Sequence, residues 1–122
     1  MRQIKKVNKH GQKFDSKLEL FFYELLLKEE ILFDFQVPYE LIPSFRYNGK
    51  SIRAMTLTVD FDFTDHGLNI IVDTKGFWRN DNKIKWKLFQ YNNDNQPVIF
   101  FPKSQKECRE VIDEIKKIKN GK

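Results

Sequence analysis

The hydrophobic pattern changes period several times along this chain. After Ser16, residues Leu18, Phe21, Phe22, Leu25 and Leu26 recur three and four apart. That spacing predicts a helix with one apolar face, running to about Glu30. Ser16 followed by Glu19 is a capping-box pattern for its start. From Ile31 to Leu41 aromatic, aliphatic and polar residues mix as in an extended segment, and Pro38 places it at a sheet edge. Pro43 to Lys50 reads as a loop with Asn48-Gly49 as its turn. Ile52 to Phe63 predicts a long strand whose end, from Thr58, alternates strictly. Asp65-His66-Gly67 predicts a hairpin turn, and Asn69 to Lys75 the returning strand through Ile70, Ile71 and Val72.

Asp81 to about Tyr91 predicts a second helix with Ile84, Leu88 and Tyr91 on one side. A loop follows from Asn92 to Pro97. Val98 to Phe101 predicts a short buried strand. Ser104 caps a last helix, with Val111, Ile112, Ile115 and Ile118 inward. The expected fold is therefore α+β with an α/β-like core, a central mixed β-sheet flanked by helices. One domain spans residues 14–122. Residues 1–13 form a basic arm, mobile or docked on a partner, with five of the 22 basic residues and no acid.

Composition narrows the class. A chain of 122 residues with 40% hydrophobic side chains, Phe prominent among them, can bury one core without staples. Its single cysteine, Cys108, allows no internal disulfide and, with two His, no thiolate zinc site. A reducing, cytoplasmic compartment fits. The opening segment has no apolar core like that of a signal peptide, and no apolar run is long enough for a membrane span. The net charge of +5 and a pI near 9.3 are compatible with a phosphate-backbone partner.

The candidate chemistry lies in the predicted hairpin. Asp60 and Asp62 fall on one strand face, with Val59, Phe61 and Phe63 on the other. Asp73 and Lys75 share a face of the returning strand, with Thr74 opposite. A turn centred between His66 and Gly67 puts position 60 across from 73, 62 across from Ile71 and 58 across from Lys75. Cross-strand partners have Cβ atoms about 5 Å apart. Two carboxylates that close repel unless a cation lies between them. Hard oxygen ligands suit Mg²⁺ or Mn²⁺. The bland alternative is that these acids are solvated hairpin ends and that Glu19 is only a capping residue. Asp62 replaces Asp60 if the turn is centred one residue later.

In order along the chain stand a helical Glu in Phe14-Asp-Ser-Lys-Leu-Glu19, a strand Asp in Val59-Asp60-Phe61, and Asp73-Thr-Lys75 followed by a Lys-rich helix. This arrangement resembles the PD-(D/E)XK nucleases, which have a restriction-endonuclease-like fold. Phe14 to Glu19 and Val72-Asp-Thr-Lys-Gly-Phe-Trp78 look closer still to phage Holliday-junction resolvases of the endonuclease I type. They are also similar to a group of small phage proteins of unassigned function. Val59 stands where the class often has proline.

The resemblance implies a metal-dependent DNA endonuclease, phage- or prophage-encoded, acting on branched DNA. Glu19, Asp60 and Asp73 would be ligands of Mg²⁺ or Mn²⁺, and Lys75 the catalytic lysine. Arg79, Lys83 and Lys87 would hold DNA phosphates, against the alternative of a solvated helix face. Phe77 and Trp78 read as packing in preference to stacking on bases. By analogy the chain is a homodimer, with Phe33 to Leu41 and the strand from Ile52 as pairing candidates. The competing readings are a nuclease-fold DNA-binding or interaction module without catalysis, and an unrelated small α+β adaptor.

Overall fold

The computed structural model describes residues 7–74 and 80–121. The segment read as a basic arm is folded from residue 7 onward. Strands β1 (Val7–Lys9) and β2 (Gln12–Phe14) form an antiparallel hairpin. His10 and Gly11 turn it with positive φ angles. Phe14 is fully buried and packs on Tyr23 and Phe35, which ties the hairpin to the body.

Helix α1 (Lys17–Lys28) starts where the capping pattern requires, the Ser16 hydroxyl accepting the Glu19 N–H at 3.1 Å. Its inward stripe is Glu19, Phe22 and Leu26. Next come β3 (Asp34–Ile42), β4 (Phe45–Tyr47), β5 (Lys50–Ile52) and β6 (Met55–Asp62). The expected loop and the first residues of the expected long strand thus form a separate hairpin, β4–β5. Asn48 and Gly49 both take positive φ at its turn, as a two-residue hairpin loop requires. A short 3₁₀ turn at Thr64–His66 and a left-handed Gly67 lead into β7 (Ile70–Val72). The returning strand stops at Val72, short of the predicted Lys75. The Asp73 N–H donates to the Phe100 carbonyl and the chain turns at Thr74.

Helix α2 (Asn80–Asn92), β8 (Val98–Phe100) and α3 (Gln105–Asn120) complete the chain. The Ser104 cap of α3 is present, accepting the Glu107 N–H at 3.1 Å. Strand β8 is only half-buried and Val98 is exposed, so it is less enclosed than its apolar sequence predicts.

The main sheet has the order β3-β6-β7-β8 and is mixed: only β7 and β8 run parallel. Proline at position 38 fits the edge position of β3. On one face α1 and α3 cover Phe61, Phe63, Ile70 and Val72 with Phe22, Leu26, Val111, Ile112 and Ile115. On the other, α2 covers Leu57, Val59 and Ile71 with Trp86 and Phe89. The expected α+β fold with a flanked mixed sheet is the one observed. Cys108 is buried on α3, and burial pushes its thiol up to about 12.

Ile84, Leu88 and Tyr91 lie on one side of α2, as expected, and it is the outer side, with Ile84 and Tyr91 59% and 84% exposed. The buried side carries Trp86 and Phe89. One expectation about faces is overturned: Val59 does not share a face with Phe61, since Val59 packs under α2 and Phe61 under α1. The neighbouring strand switches at the same level, since Phe35 packs with Phe61, and Val37 with Val59. Between them Gln36, opposite Asp60, has φ +53°. A left-handed residue breaks the two-residue alternation, and its side chain is tied to the Lys13 carbonyl at 3.2 Å.

Candidate active site

The face switch places Asp60 where the two core layers meet. Its carboxylate is fully buried, and Asp73 is 3% exposed. The solvated-hairpin reading of these acids therefore fails. The register is the one the turn predicts: Phe61 pairs with Val72 and Asp62 with Ile71. One step further, the Asp60 N–H donates to Asp73 Oδ2 at 3.3 Å. In return Asp60 Oδ2 accepts both the N–H and the hydroxyl of Thr74, each at 2.8 Å. Each acid is thus held by a donor from the opposite strand end, so their orientation is set by the hairpin.

Thr74 is the residue that sequence reasoning missed. Taken as a strand residue it points away from the acids. Because the strand has already ended, its hydroxyl reaches Asp60 instead. The available signal was a hydroxyl side chain between Asp73 and Lys75, where an apolar residue would continue the run of Ile70 to Val72.

Asp62 has a different environment. Its Oδ1 accepts the Thr64 N–H at 2.9 Å and the Thr64 hydroxyl at 2.7 Å, and its Oδ2 accepts the Tyr39 hydroxyl. Burial, and then the bond to Asp62, raise the Tyr39 phenol to about 12. Three donors on one carboxylate make a structural tie between β3, β6 and the turn.

Glu19 is fully buried on the stripe that α1 turns toward the sheet. One turn on, Phe22 meets Phe61, the neighbour of Asp60, edge-on at 4.9 Å. Glu19 Oε1 accepts the N–H of Asp15, the residue before the Ser16 cap, at 2.7 Å, so the residue braces the helix start one position earlier than a capping box does. Among the described residues no three His, Cys, Asp or Glu side chains are gathered to hold a metal ion. The structure thus brings Asp60 and Asp73 together and buries Glu19 on the adjoining helix. Lys75 and Arg79, with Phe77 and Trp78, lie outside the described residues. Lys83 and Lys87 are exposed on α2, beside Ile84, Leu88 and Tyr91 around a cleft of about 410 Å³.

A family model described as "Protein of unknown function (DUF1064)" matches residues 2–111. The chain belongs to this family. The match takes in both hairpins, the whole sheet and the first part of α3, so the Asp60–Asp73 pair and Glu19 lie within the family's span. No curated protein and no solved structure matches the chain. Among the described residues no helix is long and apolar enough to cross a membrane.

Proposed function

We propose that this DUF1064 chain is a metal-dependent DNA endonuclease of the PD-(D/E)XK class, with branched DNA as its substrate. The observation that carries the reading is the buried Asp60–Asp73 pair, joined by one hydrogen bond and braced by two more from Thr74 to Asp60. Acids are rarely buried as neighbours without a compensating charge.

The donor set fits a hard cation. Mg²⁺ keeps several waters and is commonly bound through only one or two protein carboxylates plus substrate phosphate. Asp60 and Asp73 would hold it, with Glu19 as a third ligand from α1. When bound, such an ion lowers the pKa of a water and polarises a phosphoryl oxygen. Thr74 keeps the Asp60 carboxylate in one orientation, and the Asp60 amide does the same for Asp73, so no reorganisation is needed as charge develops. Lys75, two residues beyond Asp73, supplies positive charge for the phosphate. Lys83 and Lys87 hold the backbone beside the cut. Asp62, saturated by Tyr39 and Thr64, has no part in the reaction. Two copies of the chain would cut the two strands of a junction.

A second reading is a nuclease-fold DNA-binding module without catalysis. One observation favours it: the described residues form no three-ligand metal group. Cleavage of linear duplex, single-stranded, flap and four-way-junction DNA, with Mg²⁺ and with a chelator, separates the two. The endonuclease reading expects Mg²⁺-dependent cuts that are strongest on the junction and lost in Asp60→Asn. Binding without cutting on every substrate leaves the second reading.

A further inference from the structure

We infer that the β4–β5 hairpin is a DNA-reading ribbon whose partner is the major groove of a DNA duplex. Its residues are not those of the acidic pair, and its role does not require cleavage. Residues 43–53 are all exposed. Among the described residues the two strands pair only with each other, Phe45 with Ile52, Arg46 with Ser51 and Tyr47 with Lys50. An isolated two-stranded ribbon is marginal in water unless something packs on it.

Cross-strand pairing sorts its faces. Phe45, Ile52, Tyr47 and Lys50 lie on one, Arg46 and Ser51 on the other. The apolar side chains of the first face are 47%, 38% and 66% exposed for Phe45, Ile52 and Tyr47, and none belongs to either core cluster.

Charge selects the occupant. From Pro43 to Ala54 the chain carries Arg46, Lys50 and Arg53 and no acid. A second copy docking ribbon to ribbon would bring these cations against their own kind, which is unfavourable. A polyanion is attracted by them. The major groove of B-form DNA admits a two-stranded β-ribbon, whereas the deep, narrow major groove of A-form RNA does not admit side chains. The cations would neutralise phosphates on either side, while Tyr47 and Phe45 offer apolar contact to base edges and thymine methyls.

The test is binding of the full chain to a fluorescent DNA duplex across a salt series, with EDTA to prevent cleavage. Arg46→Gln/Lys50→Gln/Arg53→Gln is compared with wild type, alongside Tyr47→Ala. Circular dichroism melting confirms that these exposed changes leave the fold intact. Loss of three phosphate contacts makes the slope of log K against log[salt] shallower by about 2.7. Tyr47→Ala weakens binding roughly 10-fold with the slope unchanged. A wild-type slope in the triple variant overturns the ribbon's role and leaves the nuclease reading standing. Equal affinity for duplex RNA of the same sequence overturns groove entry. So does a triple variant that changes only the sedimentation mass, since a second copy is then the occupant. Ribbon-dependent binding by a protein that never cuts with Mg²⁺ supports the ribbon and removes the nuclease reading. No DNA binding by wild type overturns both.

Discussion

Replacing Asp73 by Asn tests the cation reading where stability and activity should move apart. Asn keeps an amide oxygen to accept the Asp60 N–H, so the 3.3 Å link survives the change. What is lost is one of two neighbouring negative charges. At a separation of about 5 Å and an effective dielectric constant near 20, two unit charges repel by about 3 kcal/mol. The cation-free variant should therefore melt no lower than wild type. In wild type, a cation present at ten times its Kd stabilises the native state by about 1.4 kcal/mol. For a domain of this size that is a Tm rise of about 5 °C. Differential scanning fluorimetry with EDTA and with a Mg²⁺ series reads both quantities. Asp73→Asn should lose the Mg²⁺-dependent rise and more than about 100-fold of cleavage. It should keep or tighten DNA binding, because negative charge beside the phosphates is removed. A Mg²⁺-dependent rise as large as that of wild type, or full cleavage activity, would refute the assignment of this pair as the cation site.

Three further changes probe other residues. Glu19→Gln preserves an oxygen for the Asp15 N–H and leaves the Ser16 cap untouched, so urea melts should show a loss of no more than about 1 kcal/mol; cleavage should fall steeply, and wild-type cleavage would make Glu19 a capping residue alone. Tyr39 has its phenol raised to about 12 in the fold against 10.0, so it contributes stability that is fully present below pH 10 and lost as pH rises toward 12. Cys108, raised from 9.0, adds a loss of the same sign at high pH, so the readout is the difference between wild type and Tyr39→Phe. That variant should show a flatter decline between pH 10 and 12 with unchanged cleavage at neutral pH; an equally steep decline counts against the Tyr39–Asp62 tie, and lost cleavage against the structural role of Asp62. Trp86→Ala should cost about 3–5 kcal/mol, since Trp86 packs edge-on against Phe89 and Phe101; Tyr91→Ala should stay within about 0.5 kcal/mol, and the reverse order would count against Trp86 and Phe89 as the sheet-facing side of α2.

How much of this was legible in the chain depended on whether local physics decided it. The caps of α1 and α3 are set by Ser16 with Glu19 and Ser104 with Glu107, each within four residues, and both stand as expected. The register of β6 against β7 follows from the length of the turn, so the Asp62–Ile71 pairing was accessible by counting. What the chain hides is the relation of an element to the rest. Period alone finds the stripe Ile84, Leu88, Tyr91, but α2 carries a second one, Trp86 and Phe89. Which of them faces the sheet is settled by the larger aromatic area buried against Val59 and Ile71. The β4–β5 hairpin is too short, three residues a strand, for its alternation to stand out from a loop, and it has no core to face.

The two aspartates of β6 make the same point about function. Asp60 and Asp62 stand two apart in an alternating strand and carry the same charge, so nothing local tells them apart. The difference comes from distant parts of the chain. Gln36, left-handed on the neighbouring strand, marks the level at which the layers switch, and Asp60 comes to the hydrogen-bonding reach of Thr74 and Asp73. Tyr39, on the same neighbouring strand, donates to Asp62 and, with Thr64, uses that carboxylate for the fold. Both carboxylates accept from neutral donors, Asp60 from Thr74 and Asp62 from Tyr39 and Thr64. What sets Asp60 apart is the second acid beside it, Asp73, and that contrast, more than the bare spacing of the motif, favours Asp60 over Asp62 as a cation ligand.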